Sequence, residues 1–181
     1  MQTQIDIEKL KYPVGKFSAP GSFSPDVVKA SIRELEALPA HLESIVKGLS
    51  PDELLFCYRP GSWNIKQIVH HLADSHLNFH IRLRLALTEE TPTVKPYDEN
   101  LWAKLVDANN DDTSSSLQIL NGVHRRAVEL LKTLNEKDFA KEYYHPENKK
   151  NFNIFWLLSL YAWHGKHHAA QIKVALEHKF T

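Results

Sequence analysis

Four long segments of this chain repeat apolar residues every three or four positions, and almost none alternates them every second position. The first stripe is Ile32, Leu35, Leu38, Leu42, Ile45, Val46 and Leu49. The second is Ile65, Ile68, Val69, Leu72, His76, Phe79 and Leu83. The third is Leu117, Leu120, Val123, His124, Ala127, Leu130, Leu131 and Leu134, and the fourth is Ile154, Leu157, Leu158, Tyr161, Gly165, Ile172 and Ala175. Such spacing gathers apolar groups on one helix face. Long amphipathic helices bury those faces against one another, so the expectation is an all-α chain built as a four-helix bundle. A length of 181 residues suits a single domain over 1–181.

The ends of the helices follow from capping and breaking residues. Residues 1–23 carry Pro13, Gly15, Pro20 and Gly21 and read as a long irregular N-terminal arm. Ser24 offers an N-cap with Pro25 at the first helical position, and Pro39 is expected to kink that helix or split it. Ser62 is expected to cap the second helix, over residues 63–87. Pro92 and Pro96 interrupt the pattern, with a short helix expected over 98–106. "ANNDDTSSS" reads as a polar linker, and "NEKDFAKEYYHPENKKNFN" as a loop with room for a short hairpin. The fourth helix is expected over 153–177.

Composition narrows the function. Twenty-two basic and 22 acidic residues leave a formal net charge of zero, which argues against a nucleic-acid binder working through a basic face. The single cysteine, Cys57, allows no intrachain disulfide, fits a reducing compartment, and reads as a small packing residue rather than a nucleophile. "MQTQIDIEKLKYPVG" lacks the apolar core of a secretory signal. The longest apolar run, "IFWLLSLYAW", is too short to span a bilayer. The expectation is a cytoplasmic protein with neither a membrane nor a nucleic-acid partner.

The unusual residue is histidine, with 11 copies. Four lie in 70–80 ("HHLADSHLNFH") and three in 164–168 ("HGKHH"). On the last helix, His164 and His168 are one turn apart on the inward flank, while His167 falls off the stripe and reads as a bystander. A helix can offer two imidazoles to one metal at that spacing. No glutamate follows the first histidine, so a zinc-protease motif is absent. Gly165 leaves the stripe unfilled, admitting either a close neighbour or a ligand. In the upstream cluster, periodicity favours His76 as the inward residue. His71 sits off the centre of the stripe, and His70 and Asp74 point further away.

"RPGSWNIKQIVHHLADSH", then "RLRLALTEETPTVKPYDENLWAKL", "YYHPE" and "LYAWHGKHHAAQI" occur in an order that resembles the DinB/YfiT-like superfamily. The nearest likeness is to its YfiT-like metal-dependent hydrolases, and it covers nearly the whole chain. The resemblance implies a four-helix bundle that holds a divalent metal, zinc first and nickel second, on three histidines. Carried over, these are His71, the second histidine of "HHLAD", with His164 and His168. His76 stays as the alternative third ligand. The family often has a basic residue after the last ligand, where this chain has Ala169-Ala170-Gln171-Ile172.

Three imidazoles leave zinc an open position. Water there is acidified to a pKa of about 7, which suits hydrolysis of a small-molecule substrate. The position also accepts a thiolate, and related DinB-like members are S-transferases using low-molecular-weight thiols such as bacillithiol. A non-catalytic metal-binding bundle is the third reading. Asp74 and Gln171, each three residues past a ligand, and His145 in "YYHPE" are the candidate supporting residues. For Asp74 the competing reading is a solvated carboxylate, and for His145 an exposed loop histidine. The loops 88–112 and 139–152 would shape the pocket, and the resemblance implies a homodimer.

Overall fold

The computed structural model describes residues 6–181. The first five residues of the expected arm, and with them the start of the stretch read as lacking a signal, lie outside the described residues. Four long helices form the body: α2 (Pro25–Val46), α4 (Ile65–Thr88), α6 (Ser114–Leu131) and α8 (Ile154–His178). Short helices α1 (Ile7–Lys11), α3 (Pro51–Leu54), α5 (Glu99–Trp102) and α7 (Glu136–Phe139), and a 3-10 turn at Asp107–Asn109, occupy the connections. The only sheet among the described residues is an antiparallel hairpin, β1 (Glu142–His145) with β2 (Lys150–Asn153).

α2 packs on α6 and α8, and α4 packs on the same two helices. The consecutive long helices α2 and α4 therefore face each other across a diagonal, as do α6 and α8. A plain up-down-up-down bundle instead places sequence neighbours side by side. The crossing is carried by residues 47–64, which include α3.

The capping chemistry explains where the helices start. Ser24 accepts from the Val27 amide with Pro25 at the first position, as expected. The second long helix starts later than Ser62 suggested. Asn64 is its cap, in a reciprocal box with Gln67, and the Ser62 hydroxyl is instead engaged with the backbone of Arg59. Asn153 caps α8 by accepting from the Trp156 amide.

Three expectations are corrected. α2 is not split by Pro39 and continues through it. The carbonyl that Pro39 leaves without a donor, that of Leu35, receives His124 Nδ1 instead. The arm is not wholly irregular, because Asp6 caps α1. It lies along α8, where Gly15 and Lys11 accept through their carbonyls from Trp163 and Gln171. The helix expected over 98–106 closes after one turn, at Trp102, and Leu101, Leu105 and Val106 are left exposed.

The apolar interior comes in two parts. One holds Ile32, Leu35, Phe79, Leu83, Ala127, Leu157, Leu158 and Tyr161. The other holds Leu42, Val46, Ile65, Ile68, Val69, Leu72, Leu120, Ile172 and Ala175. Each fully buried aliphatic side chain contributes about 1.5–3 kcal/mol. Between the two parts lies a polar layer that contains His76, His124, His164 and His168. Gly165 sits on α8 in this layer because α2 comes close: a Cβ there would overlap the δ-carbons of Leu38. The space Gly165 leaves thus admits a neighbouring helix rather than a ligand.

Candidate metal centre

α4 and α8 run antiparallel, and their facing sides bring His71 against His164 and His168. One ring nitrogen from each of the three lies within 4.8 Å of the others. His71 Nε2 and His164 Nε2 are 3.2 Å apart. All three imidazoles are held neutral. Burial, reinforced by His167 nearby, pulls His71 down to about 4. Burial and the neighbouring histidines pull His164 and His168 well below the ordinary histidine value. Neutral imidazole is the form that ligates a metal.

The tautomers follow from hydrogen bonds that end on carbonyls, which can only accept. The Leu35 carbonyl receives His124 Nδ1–H. That leaves His124 Nε2 to accept from His76 Nδ1–H at 2.9 Å. His76 Nε2 in turn accepts from His164 Nδ1–H at 3.3 Å. The bare nitrogen of His164 is therefore Nε2, the one that faces His71. A second chain does the same for His168. The Lys11 carbonyl accepts from the Gln171 amide at 3.0 Å, so Gln171 Oε1 takes the His168 Nδ1–H at 2.8 Å. His168 also presents a bare Nε2.

These residues fit a divalent cation. Two ligand nitrogens around tetrahedral zinc, each at about 2.0–2.1 Å, lie about 3.3 Å apart, which matches the His71–His164 separation. Without a cation, two bare nitrogens at that distance repel unless His71 turns its own Nε2–H toward His164.

The remaining sequence candidates sort as follows. His76 is fully buried as periodicity expected, but it stands behind His164 rather than beside it. Asp74 makes no side-chain hydrogen bond to the three histidines. Burial and the carboxylate of Asp107, on the 3-10 turn that packs against α4, raise its carboxyl. Gln171 backs His168. His145, at the end of β1, is buried rather than an exposed loop residue, and it lines the same cavity as the triad. His167 is not a member of the triad, yet it is buried too: Trp163 stacks on it at 4.6 Å, and Tyr12 of the arm covers it. His70, expected to point away, is pinned by Ser116 Oγ at 2.8 Å and the Asn110 carbonyl at 3.0 Å, which fastens the 89–113 connection to α4. Cys57 is buried, and burial raises its thiol, as suits packing rather than reactivity.

The triad opens into a cavity of about 490 Å³, within the range of small-molecule sites. Trp63 packs on His71 with ring centroids 4.7 Å apart and forms one wall. Ser75, Arg82, Tyr97 and Tyr161 line the rest, with Glu99 and Glu147 also on the lining and exposed to solvent. The loops expected to shape the pocket do line it. Val94 N bonds to the Tyr144 carbonyl and Tyr144 N to that of Pro92, which stitches the connection onto β1. Ser75 and Arg82 escaped the sequence reading although the helical period carries them. They lie four and eleven residues past His71, so they share its face.

The comparisons with known proteins agree with this architecture. The DinB superfamily profile matches residues 34–172, and the chain belongs to that superfamily. YfiT of Bacillus subtilis (strain 168) is 42% identical over 163 residues, covering 90% of this chain and 92% of that protein. OB0782 of Oceanobacillus iheyensis is 43% identical over 162 residues, covering 90% and 93%. Both carry the provisional name of metal-dependent hydrolase. The solved structure of Bacillus subtilis YfiT superposes with a TM-score of 0.90 at 40% identity, covering 96% of this chain and 99% of that one. It is described as a probable metal-dependent hydrolase with an unusual four-helix bundle topology. Among the described residues no helix is long and apolar enough to cross a membrane.

Proposed function

We propose that this protein is a metal-dependent hydrolase of small molecules that holds a divalent cation, zinc before nickel, on His71, His164 and His168. The observation that carries the reading is the pair of Nε2 atoms 3.2 Å apart, on imidazoles that burial keeps neutral, at the wall of a cavity sized for a small ligand. The relatives named as metal-dependent hydrolases support it. When bound, such a cation supplies Lewis acidity and brings the pKa of water to about 7.

The chain's own residues prepare the site. Gln171, and His76 backed by His124, keep the protons of His168 and His164 on Nδ1, so neither ring has to change tautomer to ligate. Trp63 restricts the rotation of His71. Apolar side chains pack on both sides of the layer that carries the histidines.

The test is metal content, measured by mass spectrometry on protein purified without a nickel column. A stoichiometric metal is expected in the wild type and its loss in the H71A/H164A/H168A variant. Wild-type content in that variant overturns the assignment. Esters, amides and epoxides assayed with and without cellular thiols then decide the reaction. Turnover without thiol supports hydrolysis, and turnover that requires thiol replaces it with S-transfer. The homodimer that accompanies this reading is checked by light scattering.

A further inference from the structure

The guanidinium of Arg82 has no ion-pair partner among the described residues. Its Nε is buried with no hydrogen bond. It lines the cavity of the metal centre, three helical turns along α4 from His71. A second buried polar atom without a partner lines the same cavity: His145 Nδ1, on a residue only 8% exposed. Buried polar groups are nearly always satisfied, so two orphans on one cavity wall point to a ligand that satisfies them.

The groups around these two are donors as well. Tyr97 and Tyr161 line the cavity, and burial raises both phenols, so their O–H groups stay intact. Ser75 Oγ lies 3.4 Å from the Tyr161 hydroxyl. The two carboxylates on the cavity lining, Glu99 and Glu147, are exposed to water, and neither forms an ion pair with Arg82. Glu147 is near enough to His145 to raise it, but burial and Arg82 outweigh that carboxylate and leave the imidazole lowered.

Resting on the reading of this cavity as the substrate site, we infer that Arg82 and His145 form an anion subsite for a substrate that carries a carboxylate or phosphate group. A guanidinium presents a planar fork that pairs with two oxygens of either group. His145, with neither ring nitrogen engaged in a side-chain or backbone hydrogen bond, adds a third donor in the tautomer that protonates Nδ1.

The test is binding of inorganic phosphate and of acetate to the full-length protein, as purified and after chelator treatment, by isothermal titration and by the NMR signal of the Arg82 Nε–H. Saturable binding that persists after chelation, with a shift of that signal, is expected. R82Q is expected to weaken binding at least tenfold and H145Q several-fold, with metal content unchanged and R82K partly restoring affinity. Tighter phosphate assigns a phosphate ester, and tighter acetate a carboxylate. Unchanged affinity in R82Q, or no movement of the Arg82 signal at saturating anion, overturns the subsite; the signal decides even where R82Q does not fold. The H71A/H164A/H168A variant separates the two readings. It is expected to bind anion as chelated wild type does, so loss of metal there leaves the subsite standing, and wild-type metal content removes the metal centre without touching the Arg82 result.

Discussion

His124 makes the hydrogen bond that Pro39 cannot. In α2 the Leu35 carbonyl would normally receive the amide of residue 39, and proline has none. His124 Nδ1 reaches that carbonyl from α6. Because a carbonyl only accepts, the direction of every later bond is set, through His76 to His164. A helix defect on one side of the bundle thereby decides which nitrogen His164 shows to the other side. The chain ends on backbone rather than on solvent, so it orients the ring and does not conduct protons.

Removing His124 should therefore act at a distance. In H124L both the Leu35 carbonyl and His76 Nδ1–H lose their partner in a buried site, at a cost of about 1–3 kcal/mol for each group. Metal affinity, measured by competition with a chromophoric chelator, is expected to fall about 10–100-fold although His124 touches no ligand position. Unchanged affinity in a folded H124L protein would show that His164 does not need this chain.

Pro39→Ala tests the other end. It returns an amide to the Leu35 carbonyl and removes proline from a helix interior, a substitution worth up to about 3 kcal/mol in helix propensity. The carbonyl has two lone pairs and can keep His124 as well. The expected result is a higher melting temperature with metal affinity lowered less than tenfold. A loss of affinity as large as that of H124L would mean that the two donors exclude each other.

Gln171 is the corresponding support for His168, and it ties the site to the arm. Q171L removes the acceptor for His168 Nδ1–H and the donor to the Lys11 carbonyl. Metal affinity is expected to fall about 10–100-fold. Protease cleavage within residues 6–17 should accelerate, because α1 loses an attachment. Acceleration without an affinity change would reduce Gln171 to a structural strap.

Much of this was legible in the sequence, and the misses have physical causes. The four stripes specify four helices because burial of an apolar face dominates helix formation in a folded chain. They do not specify which helices are neighbours, and the diagonal placement of α2 and α4 left no local trace. For the third ligand, periodicity and family resemblance pointed to different residues. His76 is the more inward, yet the cavity side of α4 is its flank, where His71, Ser75 and Arg82 line up. The axis of the stripe marks what packs in the centre, and the flank marks what meets a cavity between two helices. His167 was read as a bystander because the stripe ignores the arm. Tyr12 and Trp163 cover it, contacts no helical period encodes. His145 needed the hairpin and its stitching to the 89–98 segment before its position could be known.

Acid should destabilise the metal-free protein well above the carboxylate range. An unfolded histidine titrates near 6.5, whereas burial holds folded His71 and His167 at about 4. Above pH 6.5 neither state takes a proton, and the histidines impose no penalty. Between 6.5 and 4 the unfolded chain binds protons that the folded chain refuses, so stability falls as pH falls, by at most about 1.4 kcal/mol per pH unit for each such histidine. His76, His124, His164 and His168 are depressed in the same direction and add to the slope. Urea unfolding of chelator-treated protein from pH 8 to 5 reads this as a midpoint that is flat above about 7 and drops below it. H167Q, which leaves the three ligand positions in place, should shallow the drop by the share of one histidine. A midpoint that stays level down to pH 5 would mean that the polar layer admits protons in the folded state, and the neutral triad would have to be abandoned.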